Sequence, residues 1–230
     1  VQCLLQDRRG YLWLGMAESG LCRFDGVKFT TYTTADGLAS NHIKALCEDR
    51  HGRLWLATNS GVSQFDGRGF TNYTTSDGLA DNFVYAVCED RGGRLWFGTR
   101  AGVSCCDEGR FVNVPPTDEL AGHAVFAICE DRGGRLWFSV RHIGVSCFDG
   151  GRVTTYTIAD GLIHTNIYVI YEDRGRRLWF GPMFRGVSCF DGENFTNYTN
   201  PYCLELLLSK AEREIPKSKR LQSAKELSAR

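Results

Sequence analysis

Three arginines, Arg100, Arg141 and Arg185, fall at one place in three successive copies of a repeated sequence, the short loop that follows a tryptophan-bearing segment. His142 and Phe184 stand beside two of them, and Asn59 and Glu18 occupy the same loop in earlier copies. A guanidinium presents forked N–H donors that match a carboxylate or phosphate. The group therefore reads either as a site for an anionic or polyhydroxylated ligand or as a set of solvated loop charges. Catalytic chemistry finds no matching pattern. His-Glu-x-x-His, a nucleophile elbow, a P-loop and the glycine signature for dinucleotides are all missing. The five histidines (42, 51, 123, 142 and 164) do not recur at one repeat position, as a ring of metal ligands would require. No catalytic residue, metal site or cofactor is expected.

What must position these loops is a repeat. Trp13, Trp55, Trp96, Trp137 and Trp179 are separated by 42, 41, 41 and 42 residues. Asp49-Arg50-His51-Gly52-Arg53-Leu54-Trp55 recurs as Asp90-Arg91-Gly92-Gly93-Arg94-Leu95-Trp96 and again as Asp131-Arg132-Gly133-Gly134-Arg135-Leu136-Trp137. A fixed period of this size is one supersecondary unit copied along the chain.

One copy reads as four strands. Phe83–Cys88 is rich in β-formers (strand A), and Asp90–Gly93 is a glycine-bearing turn. Arg94–Thr99 is strand B, Val103–Cys106 strand C and Arg110–Asn113 strand D. Asp66-Gly67 and Asp25-Gly26 between strands C and D are strong hairpin signals. In strand D, Phe29 and Tyr32 lie three apart and must face opposite ways. Burial on both faces fits a sheet packed between two neighbours. The expected fold is all-β: a β-propeller of five four-stranded antiparallel blades, at about 1–35, 42–76, 83–114, 124–157 and 166–199, forming a closed ring or an arc of a larger one. The tryptophans should fill the space between blades. The D-to-A linkers and B-to-C loops then share one face, and only that face varies between copies.

The composition narrows the class further. Lys+Arg and Asp+Glu are both 27, which gives no bulk attraction to nucleic acid or an anionic membrane. No apolar run is long enough to span a bilayer. Six of the ten cysteines keep repeat phase: Cys47, Cys88 and Cys129 before Glu-Asp-Arg, and Cys105, Cys147 and Cys189 after Gly-Val-Ser. They read as small core residues rather than bridges or metal ligands, which leans mildly towards a cytoplasmic setting.

The run Glu-Asp-Arg-x-Gly-x-Leu-Trp-Phe-Gly-Thr, then Gly-Val-x-x-Phe-Asp-Gly, then Phe-Thr-x-Tyr-Thr-x-x-Asp-Gly-Leu resembles the two-component regulator propeller repeat. That repeat is found in sensor regions of bacterial hybrid two-component histidine kinases and related signalling proteins. The resemblance spans residues 1–200. It implies a non-enzymatic ligand-sensing module, often periplasmic, with oligosaccharides as ligands in well-studied members and a separate output domain as the partner. Family sensors commonly have seven blades in a ring, followed by a β-sandwich, a membrane helix and a kinase, whereas five copies are countable here. An arc would leave apolar faces open to self-association. A stand-alone protein-interaction scaffold is the alternative.

The repeat stops at Asn200-Pro201. Residues 201–230 read as a short α-helical tail or a linker to an absent output domain, with Leu204, Leu207 and Leu208 on one face and a break at Pro216. From Cys203 onward, seven basic residues stand against four acidic ones, which leaves the propeller net acidic. The chain opens at Val1 without a methionine, so a processed or partial chain is expected.

Overall fold

The computed structural model describes residues 1–107, 109–113, 120, 122–184 and 186–199. The expected helical tail at 201–230 lies outside the described residues. Five separate four-stranded antiparallel sheets follow one another, each a meander in chain order. Blade 1 holds β1 to β4 (Cys3–Gln6, Leu12–Gly15, Leu21–Phe24, Phe29–Tyr32). Blade 2 holds β5 to β8 (Ile43–Glu48, Leu54–Thr58, Gly61–Phe65, Phe70–Tyr73). Blade 3 holds β9 to β12 (Val84–Glu89, Leu95–Thr99, Gly102–Asp107, Arg110–Asn113). Blade 4 holds β13 to β16 (Val125–Glu130, Leu136–Val140, Gly144–Phe148, Val153–Tyr156). Blade 5 holds β17 to β20 (Ile167–Glu172, Leu178–Pro182, Val187–Phe190, Phe195–Tyr198). The strands read from sequence in blade 3 agree to within a residue, and the last of them is identical.

The turn aspartate between strands A and B does more than reverse the chain. Asp49 is 1% exposed, and its Oδ2 accepts the Trp55 indole N–H at 2.9 Å and Arg53 Nε at 2.6 Å. Its Oδ1 accepts the backbone N–H of His51 and of Arg53. Asp90 with Trp96 and Arg94, Asp131 with Trp137 and Arg135, and Asp173 with Trp179 and Arg177 repeat the arrangement. Each of these arginines also lies over its tryptophan ring, 5.3–5.6 Å from the centroid. The hairpin thus fixes the one large ring that the next blade must pack against.

Four apolar clusters join blade 1 to 2, 2 to 3, 3 to 4 and 4 to 5, with Trp13, Trp55, Trp96 and Trp137 as their largest members. Trp137 meets Phe180 and Phe190 of blade 5 at 5.7 and 5.8 Å, and Trp96 meets Phe138 of blade 4 at 5.9 Å. Tyr32 faces Phe65 and Phe70 of blade 2 while Phe29 stacks on Phe24 within its own sheet, so the two rings do take opposite faces. Among the described residues no fifth cluster joins blade 5 to blade 1: the five blades form an arc. Val169 and Tyr171 on blade 5, and Leu4 on blade 1, are each about 60% exposed at its two ends.

Two further ties recur, the first at all four junctions and the second, among the described residues, at three. Arg8, Arg50, Arg91 and Arg132 each give their backbone N–H to the glutamate one blade on (Glu48, Glu89, Glu130, Glu172) and their guanidinium to a backbone carbonyl there. These pairs are half-exposed and contribute at most about 1 kcal/mol each. The linker from strand D into the next blade begins with a capped 3-10 turn. Thr74 accepts from Ser76 N–H, Asp77 accepts from Thr74 N–H, and Gly78 closes the turn at φ 105°. Leu79, buried at 3% exposure, then enters the junction, and Ala80 N–H bonds the hydroxyl of Ser104 in blade 3.

None of the nine described cysteines is bridged. Burial pushes the Cys47 and Cys129 thiols up to about 11 and the Cys88 thiol up to about 12, so they stay protonated and poorly nucleophilic at neutral pH.

Candidate functional site

The inner strands β5, β9, β13 and β17 lie side by side around the arc, each against the next. Each begins with a fully buried branched residue: Ile43, Val84, Val125 or Ile167. Directly after it the register with strand B slips by a bulge, at Lys44, Tyr85 and Tyr168 in blades 2, 3 and 5 and within Phe126-Ala127 in blade 4. A bulge leaves one residue out of the ladder and re-aims its side chain. The slip falls at the same position in four consecutive blades.

The result is a row of rings crossing three blades. Phe83 meets Tyr85 at 5.0 Å, Tyr85 meets Phe126 edge-on at 4.9 Å, and Phe126 stacks on Tyr168 at 4.8 Å with planes 12° apart. Lys44 extends the row into blade 2, its ammonium 5.8 Å from the Phe83 ring. Tyr168 is 41% exposed, and the other members are half-buried. The sequence offered one clue: these large residues each precede or follow a small or branched buried neighbour in strand A. The bulge that turns them out depends on strand pairing, which a sequence pattern does not show.

The loops expected to hold the site sit at the same end. Asn59, Arg100 and Arg141 each donate a backbone N–H to the residue leading their own inner strand, His42, Phe83 and Ala124. They therefore flank the start of the aromatic row. Arg100 gives Nε and Nη2 to Asp81 at 3.2 and 3.1 Å, so much of its fork is already engaged. Asn59 Oδ1 is buried without a hydrogen-bond partner. His142 adopts φ 65°, and its backbone N–H is held by Asn166 of the linker into blade 5 at 2.9 Å. Phe184 is 74% exposed beside the exposed Met183. Glu18 is exposed in blade 1, without a bond to the others among the described residues. Arg185 lies outside the described residues. Arg100 and Arg141 share a face, but their guanidinium groups do not meet.

Sheet order, the junction tryptophans and the shared loop face define a β-propeller. The family model described as two component regulator propeller matches residues 37–60, 78–101 and 119–142, in each case the passage that runs from the end of one blade through strand B of the next. No curated protein matches the sequence.

Among solved structures, the extracellular domain of the hybrid two component system BT3049 from B. thetaiotaomicron is similar, with TM-score 0.74 and 24% identity. The alignment covers 86% of this chain and 28% of that one. The extracellular domain of the one component system BT4673 from the same organism gives TM-score 0.73 and 23% identity over 86% of this chain and 30% of that one. This chain therefore spans less than a third of the length of those two. Virginiamycin B lyase from Staphylococcus aureus shares the fold at TM-score 0.69 and 16% identity, over 86% of this chain and 69% of that one.

The similar two-component structures are extracellular domains, so the cytoplasmic lean drawn from cysteine usage is without support. Buried, protonated thiols resist oxidation, and their number carries no information about compartment. No helix among the described residues is long and apolar enough to cross a membrane.

Proposed function

We propose that this propeller is the ligand-receiving, non-enzymatic part of an extracytoplasmic signalling protein, whose output domain lies elsewhere in the full protein. We propose further that the aromatic row takes the rings of an oligosaccharide. The observation that carries this reading is the bulge repeated at Lys44, Tyr85, Phe126 and Tyr168. Four blades give up regular pairing at one position to present side chains at one mouth, and sheet packing alone does not call for that. Aromatic faces stack on the apolar C–H face of a pyranose, while Arg141, His142 and the remaining donors of Arg100 supply polar contacts at the rim. The repeats and the extracellular two-component domains support the sensor class. The likeness to a lyase is of fold alone.

The test is a calorimetric titration with neutral and uronic-acid oligosaccharides. Phe126→Ala and Tyr85→Ala should each weaken binding by about tenfold, the worth of roughly 1.4 kcal/mol of stacking. Arg100→Ala with Arg141→Ala should weaken only the acidic sugars. Equal affinity in wild type and both ring variants would overturn the reading. The exposed pair Met183 and Phe184 favours one second reading, a protein-contact scaffold. Capture of a protein partner that Phe184→Ser abolishes, with no saccharide bound, would put that reading first.

A further inference from the structure

At three of the four junctions the last residue of strand C is a phenylalanine inserted against the preceding blade. Phe65 meets Trp13 and Tyr32 at 5.7 and 5.4 Å, Phe148 meets Trp96 at 6.4 Å, and Phe190 meets Trp137 and Tyr156 at 5.8 and 5.2 Å. In blade 3, whose strand C runs one residue longer, the residue at this repeat position is Cys106. The ring is missing from the junction between blades 2 and 3, and a cavity of about 530 Å³ opens there, on the face opposite the aromatic row.

The cavity keeps the walls that hold a ring elsewhere. Trp55 and Tyr73 stack at 5.7 Å, the indole fixed by Asp49 and the Tyr73 hydroxyl held by Gln64 at 3.0 Å. Blade 2 alone has glutamine at that place, where blades 3 to 5 have Cys105, Cys147 and Cys189. Arg53 lines the same space. Its Nε serves Asp49, but its two terminal nitrogens make no hydrogen bond among the described residues. Arg50 and His51 border it on one side, and among the described residues Asp107 is the acidic group lining it.

We propose that the seam between blades 2 and 3 is a second binding site, for a small aryl carboxylate. Its ring takes the place of the absent phenylalanine against Trp55 and Tyr73, and its carboxylate takes the free nitrogens of Arg53. A phenyl group fits because the neighbouring junctions seat one between the same kinds of residue. A carboxylate fits because a half-exposed guanidinium with two uncommitted donors faces the opening. The site stands apart from the aromatic row and does not depend on it.

The experiment is fluorine NMR of 4-fluorophenylacetate titrated with the chain at millimolar probe. The expected result is a broadened, shifted resonance that Cys106→Phe abolishes by restoring the ring. Arg53→Gln should weaken the effect at least tenfold, and Phe126→Ala should leave it unchanged. If Cys106→Phe does not fold, Cys106→Leu, which fills part of the space, should reduce binding instead. An unperturbed resonance with wild type, or undiminished binding in a folded Cys106→Phe or Cys106→Leu chain, would overturn the proposal.

Discussion

Trp96→Ala is expected to lower the unfolding free energy by about 3–5 kcal/mol, the range for removing a large buried aromatic side chain. Trp96 is 3% exposed, packs on Phe138 and Phe148 of the next blade, and ties its own hairpin through Asp90. Trp179 has the same hairpin bonds and in addition stacks on a tyrosine of its own sheet, Tyr198, but among the described residues no following blade covers it. Trp179→Ala should therefore cost less than half as much. Urea titrations of the two variants check the pair. Equal losses would mean that the hairpin, rather than the blade junction, holds the fold.

Asp131→Ala should cost about 3 kcal/mol or more. It strips a buried acceptor from an indole N–H, a guanidinium and two backbone N–H groups at once. Asp131→Asn, which keeps an acceptor and loses the charge, should cost less. The same network sets the response to acid. Burial by itself would raise the carboxyls of Asp49, Asp90, Asp131 and Asp173, but the indole, backbone and arginine donors outweigh it and hold all four below the ordinary value.

A group depressed in the folded state stabilises fully above its unfolded value, near pH 4, and that share is lost as the pH falls through the folded value. Stability should therefore fall steeply only below about pH 4. Asp131→Asn should flatten the fall, because one fewer proton is taken up on unfolding. A urea midpoint measured at several acidic pH values checks both; an unchanged slope in Asp131→Asn would show that this carboxylate does not carry the effect.

The fold was legible because each level of sequence agreed. The tryptophan period gave the unit, the Asp-Gly pairs gave the reversals, and Phe29 and Tyr32 gave rings on opposite faces of strand D, of which Phe29, on the face of blade 1 that no blade covers here, stays exposed. The role of Asp49 was not legible. Asp-Arg-x-Gly reads as turn chemistry, and only the folded hairpin brings the carboxylate six residues along to the indole. The proposed site was legible only in part. Variation between loops singled out the end of the propeller where Arg100, Arg141 and His142 lie. It did not single out Phe83, Tyr85, Phe126 and Tyr168, because strand A reads as an apolar run and a bulge is a property of pairing. It also treated Arg100 as an open donor, while Asp81, nineteen residues earlier, folds back to meet it.

The inner strands also record the order of the blades. Ala45, Ala86 and Ala127, with Cys47, Cys88 and Cys129, keep one face of three blades shallow, so that the next inner strand can lie close. Blade 5 carries Val169 and Tyr171 at those two places, and they stand in solvent. Blades 2 to 4 thus share one small-residue pattern on that face, and blade 5 departs from it at both places. The copies are alike enough to be read as one sentence, yet they are not interchangeable: a swap of blade 5 for blade 3 would bring a valine and a tyrosine to a face that is lined there by alanine and cysteine.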